Sequence, residues 1–170
     1  GVARRGRDLR DRSGDDRRAD LGIAANDDTV EGNGTPLILV HGIGANADLN
    51  WRRPGVTRML AKNFQVISYD LRGHGRSDKP EVPAAYGVKM AEDIVRLMDH
   101  LEIRRAHVAG YSLGGFLALK AVTLHPERFI SASICAAGWK DPKDPSPLPN
   151  PYKPPENTDQ LVPDATADQI

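Results

Sequence analysis

Between residues 36 and 136, short continuous apolar runs alternate with stretches of helical periodicity, and this alternation constrains the chain more than any other feature. Residues 36–41 read PLILVH, bounded by GNGT before and GIGAN after. A run that is apolar at successive positions has no polar face, so it suits a strand buried on both sides. A helix is expected over about residues 51–62, with Pro54 accommodated in its first turn. Residues 64–70 (FQVISYD) form the second expected strand, which leaves into the glycine-rich LRGHGRSD. Val88, Ala91, Ile94, Val95, Met98 and Leu101 recur three and four residues apart, the stripe of an amphipathic helix. A third strand over 106–111 precedes a helix over 113–124, stopped by Pro126, and 129–136 is a fourth strand. Strands alternating with helices imply crossover units, so the expected class is α/β: a mainly parallel sheet with helices on both faces.

The two ends differ from this middle. Residues 1–20 carry seven arginines and five aspartates, with Val2 and Leu9 as the sizeable apolar side chains. Such a stretch cannot bury enough apolar surface to offset the entropy of ordering it. Its interleaved aspartates would repel phosphate, which argues against a nucleic-acid arm. Eight of the 13 prolines lie between Pro142 and Pro163. Proline removes a backbone donor and fixes φ, so neither a helix nor a central strand is expected there. The expected organisation is a poorly ordered segment over 1–31, a folded core over 32–139, and a proline-rich segment over 140–170. The first residue is Gly1 rather than Met, as in a processed product or a piece of a longer chain.

Charge and composition narrow the function. The 23 basic and 23 acidic residues cancel, so no global field favours nucleic acid or an anionic membrane. No run approaches the roughly 18 to 20 apolar residues of a membrane span, so a soluble, cytoplasmic chain is expected. Cys135 is the single cysteine, which excludes an internal disulfide and a thiolate zinc site. It falls in an apolar run and is expected to pack as a small hydrophobe. The sequence has neither GxxxxGK[ST] nor HExxH, so no nucleotide or metal chemistry is indicated and no cofactor is implied. Met59, Met90 and Met98 are expected in helix cores, and Trp51 and Trp139 are expected either to line a substrate pocket or to pack at the rim.

The chemistry is concentrated in GYSLGG. Gly110, Ser112 and Gly114 make GxSxG within AHVAGYSLGGFLALKAV, which puts the serine at a strand-to-helix junction. A sharp turn there strains the serine backbone, and the flanking glycines let strand and helix approach closely. Ser112 would also stand at the amino end of a helix, where unpaired N–H groups favour negative charge. A serine attacking a carbonyl creates an oxyanion, for which backbone donors must already be in place. The amides of Leu113 and Ile43 are the expected donors, the latter in the loop HGIGAN that follows the first strand. His41 and Gly42 shape that loop.

LILVHGIGAN, YDLRGHGRSD and GYSLGGFLAL, in this order and spacing, resemble the amino-terminal half of the α/β-hydrolase superfamily over about residues 32–139. The resemblance implies an acyl-enzyme at Ser112, formed from a small carboxylic ester or related acyl substrate. Serine rather than aspartate at this position argues against the epoxide hydrolase and dehalogenase branches. Two other readings stay open: an aminopeptidase-type hydrolase, and a protein that keeps the fold but only binds a ligand or partner. In the family the order is serine, acid, histidine, and His125 is the one histidine after Ser112. Edge geometry excludes His107, His100 and His125, which lie at the wrong ends of their elements, and the resemblance assigns His41 and His74 to loop shaping. The triad histidine is therefore expected to be missing from this chain, leaving it with little or no turnover. Asp141 is a candidate triad acid, set against its reading as part of a solvated KDPKD turn.

Overall fold

The computed structural model describes residues 29–138. Its centre is β2 (Thr35–Val40), parallel to β3 (Phe64–Ser68) on one side and to β4 (Ala106–Tyr111) on the other. β5 (Phe129–Cys135) extends the sheet in parallel beyond β4, and β1 (Thr29–Glu31) closes the other side antiparallel to β3. The order is thus β1-β3-β2-β4-β5. The helices are α1 (Val56–Leu60), α2 (Val88–His100) and α3 (Leu113–Leu124).

The unbroken apolar run of β2 has the cause expected of it. Ile38 and Val40 pack with Ile67, Val108 and the buried stripes of α2 and α3. Leu37 and Leu39 point the other way, onto Val66, Trp51, Val56 and Leu60. Successive side chains of a strand alternate faces, so burial of both sets requires cover on both sides. α2 buries Met90, Ala91, Ile94, Val95, Leu97 and Met98 on one face. Apart from the small Ala91, each such side chain contributes roughly 1.5–3 kcal/mol relative to exposure.

Asp93 sits among these apolar residues of α2 with a side chain 1% exposed. Its carboxylate accepts two hydrogen bonds from Arg72, from Nε at 2.9 Å and from a terminal guanidinium nitrogen at 2.7 Å. Burial pushes the Asp93 carboxyl above its ordinary value, opposed by the charge and hydrogen bonds of Arg72 and Arg96. The hydrogen bond to Asp93 in turn raises the Arg72 pKa and holds its guanidinium charged. This pair fastens the loop after β3 to α2.

Four local expectations are corrected. Residues 29–31, expected to belong to a poorly ordered segment, form β1 instead; a three-residue strand is too short to show a periodicity, and it is specified by its partner β3. The helix expected over 51–62 is divided into a single π-helical turn, Asp48–Arg52, and α1. Pro54 lacks a donor and Gly55, at φ 80°, turns left-handed, which together separate the two. Met59, expected in a helix core, is 59% exposed because the five-residue α1 buries Thr57 instead. Cys135 is exposed rather than buried, because β5 is an edge strand among the described residues and exposes most of its side chains. No helix among the described residues is long and apolar enough to cross a membrane.

Candidate active site

β4 ends at Tyr111 and α3 starts at Leu113, so Ser112 alone turns the chain from strand to helix. Its backbone takes φ 52° and ψ −117°. For a residue with a Cβ this conformation costs on the order of 1–3 kcal/mol and persists only where surroundings hold it. The Ser112 N–H donates to the Cys135 carbonyl at 2.8 Å, and its own carbonyl accepts from Gly115 N–H at 2.8 Å and Phe116 N–H at 3.1 Å. One side of the serine is thereby tied to β5 and the other to the first turn of α3.

Two glycines make the turn sterically feasible. A Cβ on Gly110 would run into the Gly114 carbonyl and come within 2.6 Å of the Gly115 nitrogen. A Cβ on Gly114 would run into the Val40 carbonyl and lie 2.7 Å from the His41 oxygen. The obstacles are backbone atoms, which cannot rotate aside. Gly114→Ala is therefore expected to cost about 1–3 kcal/mol, the range for overpacking. At Gly138 a Cβ meets nothing within 4 Å, and Gly138→Ala should stay within about 0.5 kcal/mol of the parent. Urea denaturation of the two variants side by side measures the difference; equal costs would refute the close approach of α3 to β2.

The loop after β2 lies against the same elbow. A Cβ built on Gly42 would sit 3.4 Å from the Ser112 Cβ and 3.1 Å from the Tyr111 ring. The Gly42 N–H donates to Asn50 Oδ1 at 2.8 Å, and Gly42 O is 2.8 Å from His41 Nδ1 and accepts from Ala45 N–H at 3.3 Å. Ile43, next in the chain, is 70% exposed. The sheet order reverses about β2, with β3 added on one side and β4 on the other. Ligands of open α/β sheets bind at the carboxyl ends of strands flanking such a reversal, which is where this loop and Ser112 meet.

The five histidines divide as follows. His41 is fully buried, and its Nε2 accepts from the Leu71 N–H at 2.9 Å. Nε2 therefore carries no proton in the neutral ring, and Nδ1–H donates to the Gly42 carbonyl. With both nitrogens engaged, His41 has no acceptor left for Ser112. His74 stacks edge-on against His41 with ring centroids 5.2 Å apart, and its Nδ1 lies 3.2 Å from the Arg72 carbonyl. His107 pairs with Ser131 Oγ at 2.8 Å in the register of Leu37, near the amino end of β4. His100 ends α2 and His125 follows the end of α3.

Residues 35–167 match the family described as the alpha/beta hydrolase fold. The chain belongs to this family. Among its relatives is the dihydrolipoyllysine-residue acetyltransferase component of the acetoin cleaving system of Pseudomonas putida, 41% identical over 106 residues, or 61% of this chain and 27% of that protein. Among solved structures it is similar to the 2-hydroxy-6-oxo-6-phenylhexa-2,4-dienoate hydrolase of Rhodococcus sp. strain RHA1. The TM-score is 0.55 and the identity 38%, over 62% of this chain and 40% of that one. Est816, described as an N-acyl homoserine lactone degrading enzyme, gives 0.55 and 34% over 62% and 39%. The chain thus spans between about a quarter and two fifths of the length of these relatives.

Within the hydrolase fold, Asp70 ties together two loops at the carboxyl edge of the sheet. Buried just past β3, it accepts from Ala47 N–H at 2.8 Å through Oδ1 and from Arg76 N–H at 3.0 Å through Oδ2. Ser112, Leu113, Ile43, His41, Gly42, Gly110 and Gly114 are all brought to one end of β2 and β4. Asp141 and Trp139 lie outside the described residues. Asn50 and Asp93 are not among the residues that the sequence motifs single out. Asp93 had a signal, a carboxylate one residue before Ile94 on the apolar stripe, whereas Asn50 had none, because its partner is eight residues away. Among the described residues no group of three His, Cys, Asp or Glu is placed to hold a metal.

His41 also carries a pH dependence. Burial lowers its pKa from the ordinary 6.5; the Gly42 hydrogen bond opposes this, His74 adds to it and Asp70 opposes it. The unfolded chain therefore takes up this proton first as pH falls. The stability His41 contributes is fully present above about pH 6.5 and is lost as pH drops through that value toward the lowered one. The slope is at most about 1.4 kcal/mol per pH unit for one proton. Urea midpoints between pH 8 and pH 5 should show it, and His41→Asn should flatten the curve.

Proposed function

We propose that the chain supplies the nucleophile and oxyanion donors of a serine hydrolase acting on a small carboxylic ester or related acyl substrate. One observation carries the reading: Ser112 holds φ 52° at a one-residue turn between β4 and α3, at the carboxyl edge of the sheet. Ser112 Oγ attacks the substrate carbonyl carbon as its proton passes to a base, and the carbonyl electron pair moves onto oxygen. The amides of Ile43 and Leu113 receive that oxyanion; each such donor is worth roughly 10²–10³ in rate. Collapse of the intermediate expels the protonated alcohol and leaves an acyl-serine, which water then hydrolyses. No cofactor takes part in this sequence.

The base is not one of the chain's five histidines. His41 has both nitrogens occupied, His74 packs on it, and the other three stand at the far ends of their elements. Turnover requires a proton acceptor these rings do not provide. Asp141, outside the described residues, stays the candidate acid. A fluorophosphonate probe tests the nucleophile: slow labelling at Ser112, located by mass spectrometry and absent in Ser112→Ala, is the expected result. Labelling that survives Ser112→Ala removes the reading and favours a fold retained for binding. Comparing short-chain esters with aminoacyl amides separates esterase from peptidase action.

A further inference from the structure

We infer that Tyr111, Ile43, Leu49 and Phe116 form an apolar collar beside the nucleophile that selects substrates with a neutral, apolar acyl chain. The described residues expose nine large apolar side chains, and these four, between 45% and 70% exposed, all stand next to Gly42 or Ser112. The Tyr111 ring lies against Gly42, 3.1 Å from where a Cβ would be, and that same position is 3.4 Å from the Ser112 Cβ. Ile43 follows Gly42 in the chain, and Leu49 precedes Asn50, whose Oδ1 accepts from Gly42 N–H at 2.8 Å. Phe116 comes one helical turn after the nucleophile, its N–H donating to the Ser112 carbonyl at 3.1 Å. Its neighbours Gly115 and Leu117 are buried by α3, and Phe116 is left outside. Single exposed apolar side chains are ordinary on a protein surface, but several gathered at one place mark a contact surface.

Charge decides what this surface takes. Residues 41–47 read HGIGANA and residues 109–119 read AGYSLGGFLAL, with no Asp, Glu, Lys or Arg in either. His41 spends both ring nitrogens within the fold. Just outside these segments, Asp48 is engaged by Arg53, and Asp70 by the amides of Ala47 and Arg76. A carboxylate or phosphate pressed against the collar would give up water and gain no counter-charge, which is strongly unfavourable. An alkyl or aryl chain leaves water favourably. Tyr111 offers the largest and stiffest of the four surfaces and touches Gly42 directly, which makes it the principal specificity-determining residue.

This inference rests on the serine-hydrolase reading, and its test separates the two. The 170-residue chain is treated with methyl, hexyl and 5-carboxypentyl phosphonofluoridates, the alkyl group on phosphorus standing for the acyl chain. Ser112 Oγ bonds to phosphorus, fluoride leaves with the P–F electron pair, and the serine proton passes to buffer. Labelling of Ser112 should be roughly tenfold faster with the hexyl probe than with the methyl probe, the low end of what a single methylene is worth in a closed apolar pocket. The carboxypentyl probe should show no such gain. Tyr111→Ala should erase most of the hexyl-to-methyl ratio, whereas Met59→Ala, exposed on α1 and outside the collar, keeps it. Equal hexyl and methyl rates, or a ratio undiminished in Tyr111→Ala, overturn the collar and leave the serine reading standing. A carboxypentyl probe faster than the hexyl probe does the same, since a cation such as Arg52 would then reach the site. Labelling that persists in Ser112→Ala overturns the serine reading instead. The collar is also read without chemistry or variants, by titrating the ¹⁵N-labelled parent at neutral pH with ethyl hexanoate and with hexanoate. The amides of Ile43, Tyr111 and Phe116 should shift with the ester and stay in place with the anion; unmoved amides, or an equal response to hexanoate, overturn the collar whatever becomes of Ser112.

Discussion

Hydrolysis of p-nitrophenyl acetate by the 170-residue chain is expected to fall about 10⁶-fold short, in kcat, of a serine hydrolase with its base in place. Ser112 is a weak nucleophile while its proton has nowhere to go. His41, the histidine closest in sequence to the oxyanion loop, spends both nitrogens on Leu71 and Gly42. What remains is the contribution of backbone donors and binding, roughly 10³–10⁴ over water. A steady-state assay beside Ser112→Ala measures this directly. Rapid, Ser112-dependent turnover would mean that His74 or a second copy of the chain accepts the proton, and would end the exclusion of the five histidines.

The largest loss of stability is expected at Asp93. Asp93→Ala leaves the Arg72 guanidinium, 9% exposed, without its bidentate partner. Breaking a buried pair from one side costs about 3–5 kcal/mol, because the remaining charge stays desolvated and uncompensated. That is a large share of the 5–15 kcal/mol typical of a whole domain. Replacing both members by apolar residues, Asp93→Leu with Arg72→Met, removes the stranded charge, and most of the loss should be recovered. Guanidinium denaturation of the single and double variants measures both effects. A single variant less than about 1 kcal/mol below the parent would show that Arg72 reaches water and that the loop after β3 does not depend on α2.

Most of the architecture was legible in the chain's own pattern. The β4 and α3 bounds, Ala106–Tyr111 and Leu113–Leu124, agree with the residues expected from apolar runs and Pro126. The stripe of α2 was equally clear, because both faces of the helix leave a mark on the sequence. Legibility failed where structure is set by a partner rather than by a period. β1 has three residues and exists because β3 offers an edge. Cys135 looked buried because its run is apolar, but exposure depends on what stands beside β5, and β4 is the neighbour on one side only. Met59 is exposed for a related reason, since Pro54 and Gly55 shorten the helix that would have carried it inward.

The candidate site divides along the same line. By itself the sequence determined that a serine stands between a strand and a helix with glycines on either side, since residue size and local periodicity are properties of adjacent residues. It determined equally that an HGIG loop follows the first strand. Only the tertiary structure decided that Gly42 reaches Ser112, that Asp70 joins two loops, and that Leu71 sets the tautomer of His41. The last of these contacts spans 30 residues. Hydrogen bonds act over about 3 Å of space regardless of separation along the chain, so no local pattern encodes them.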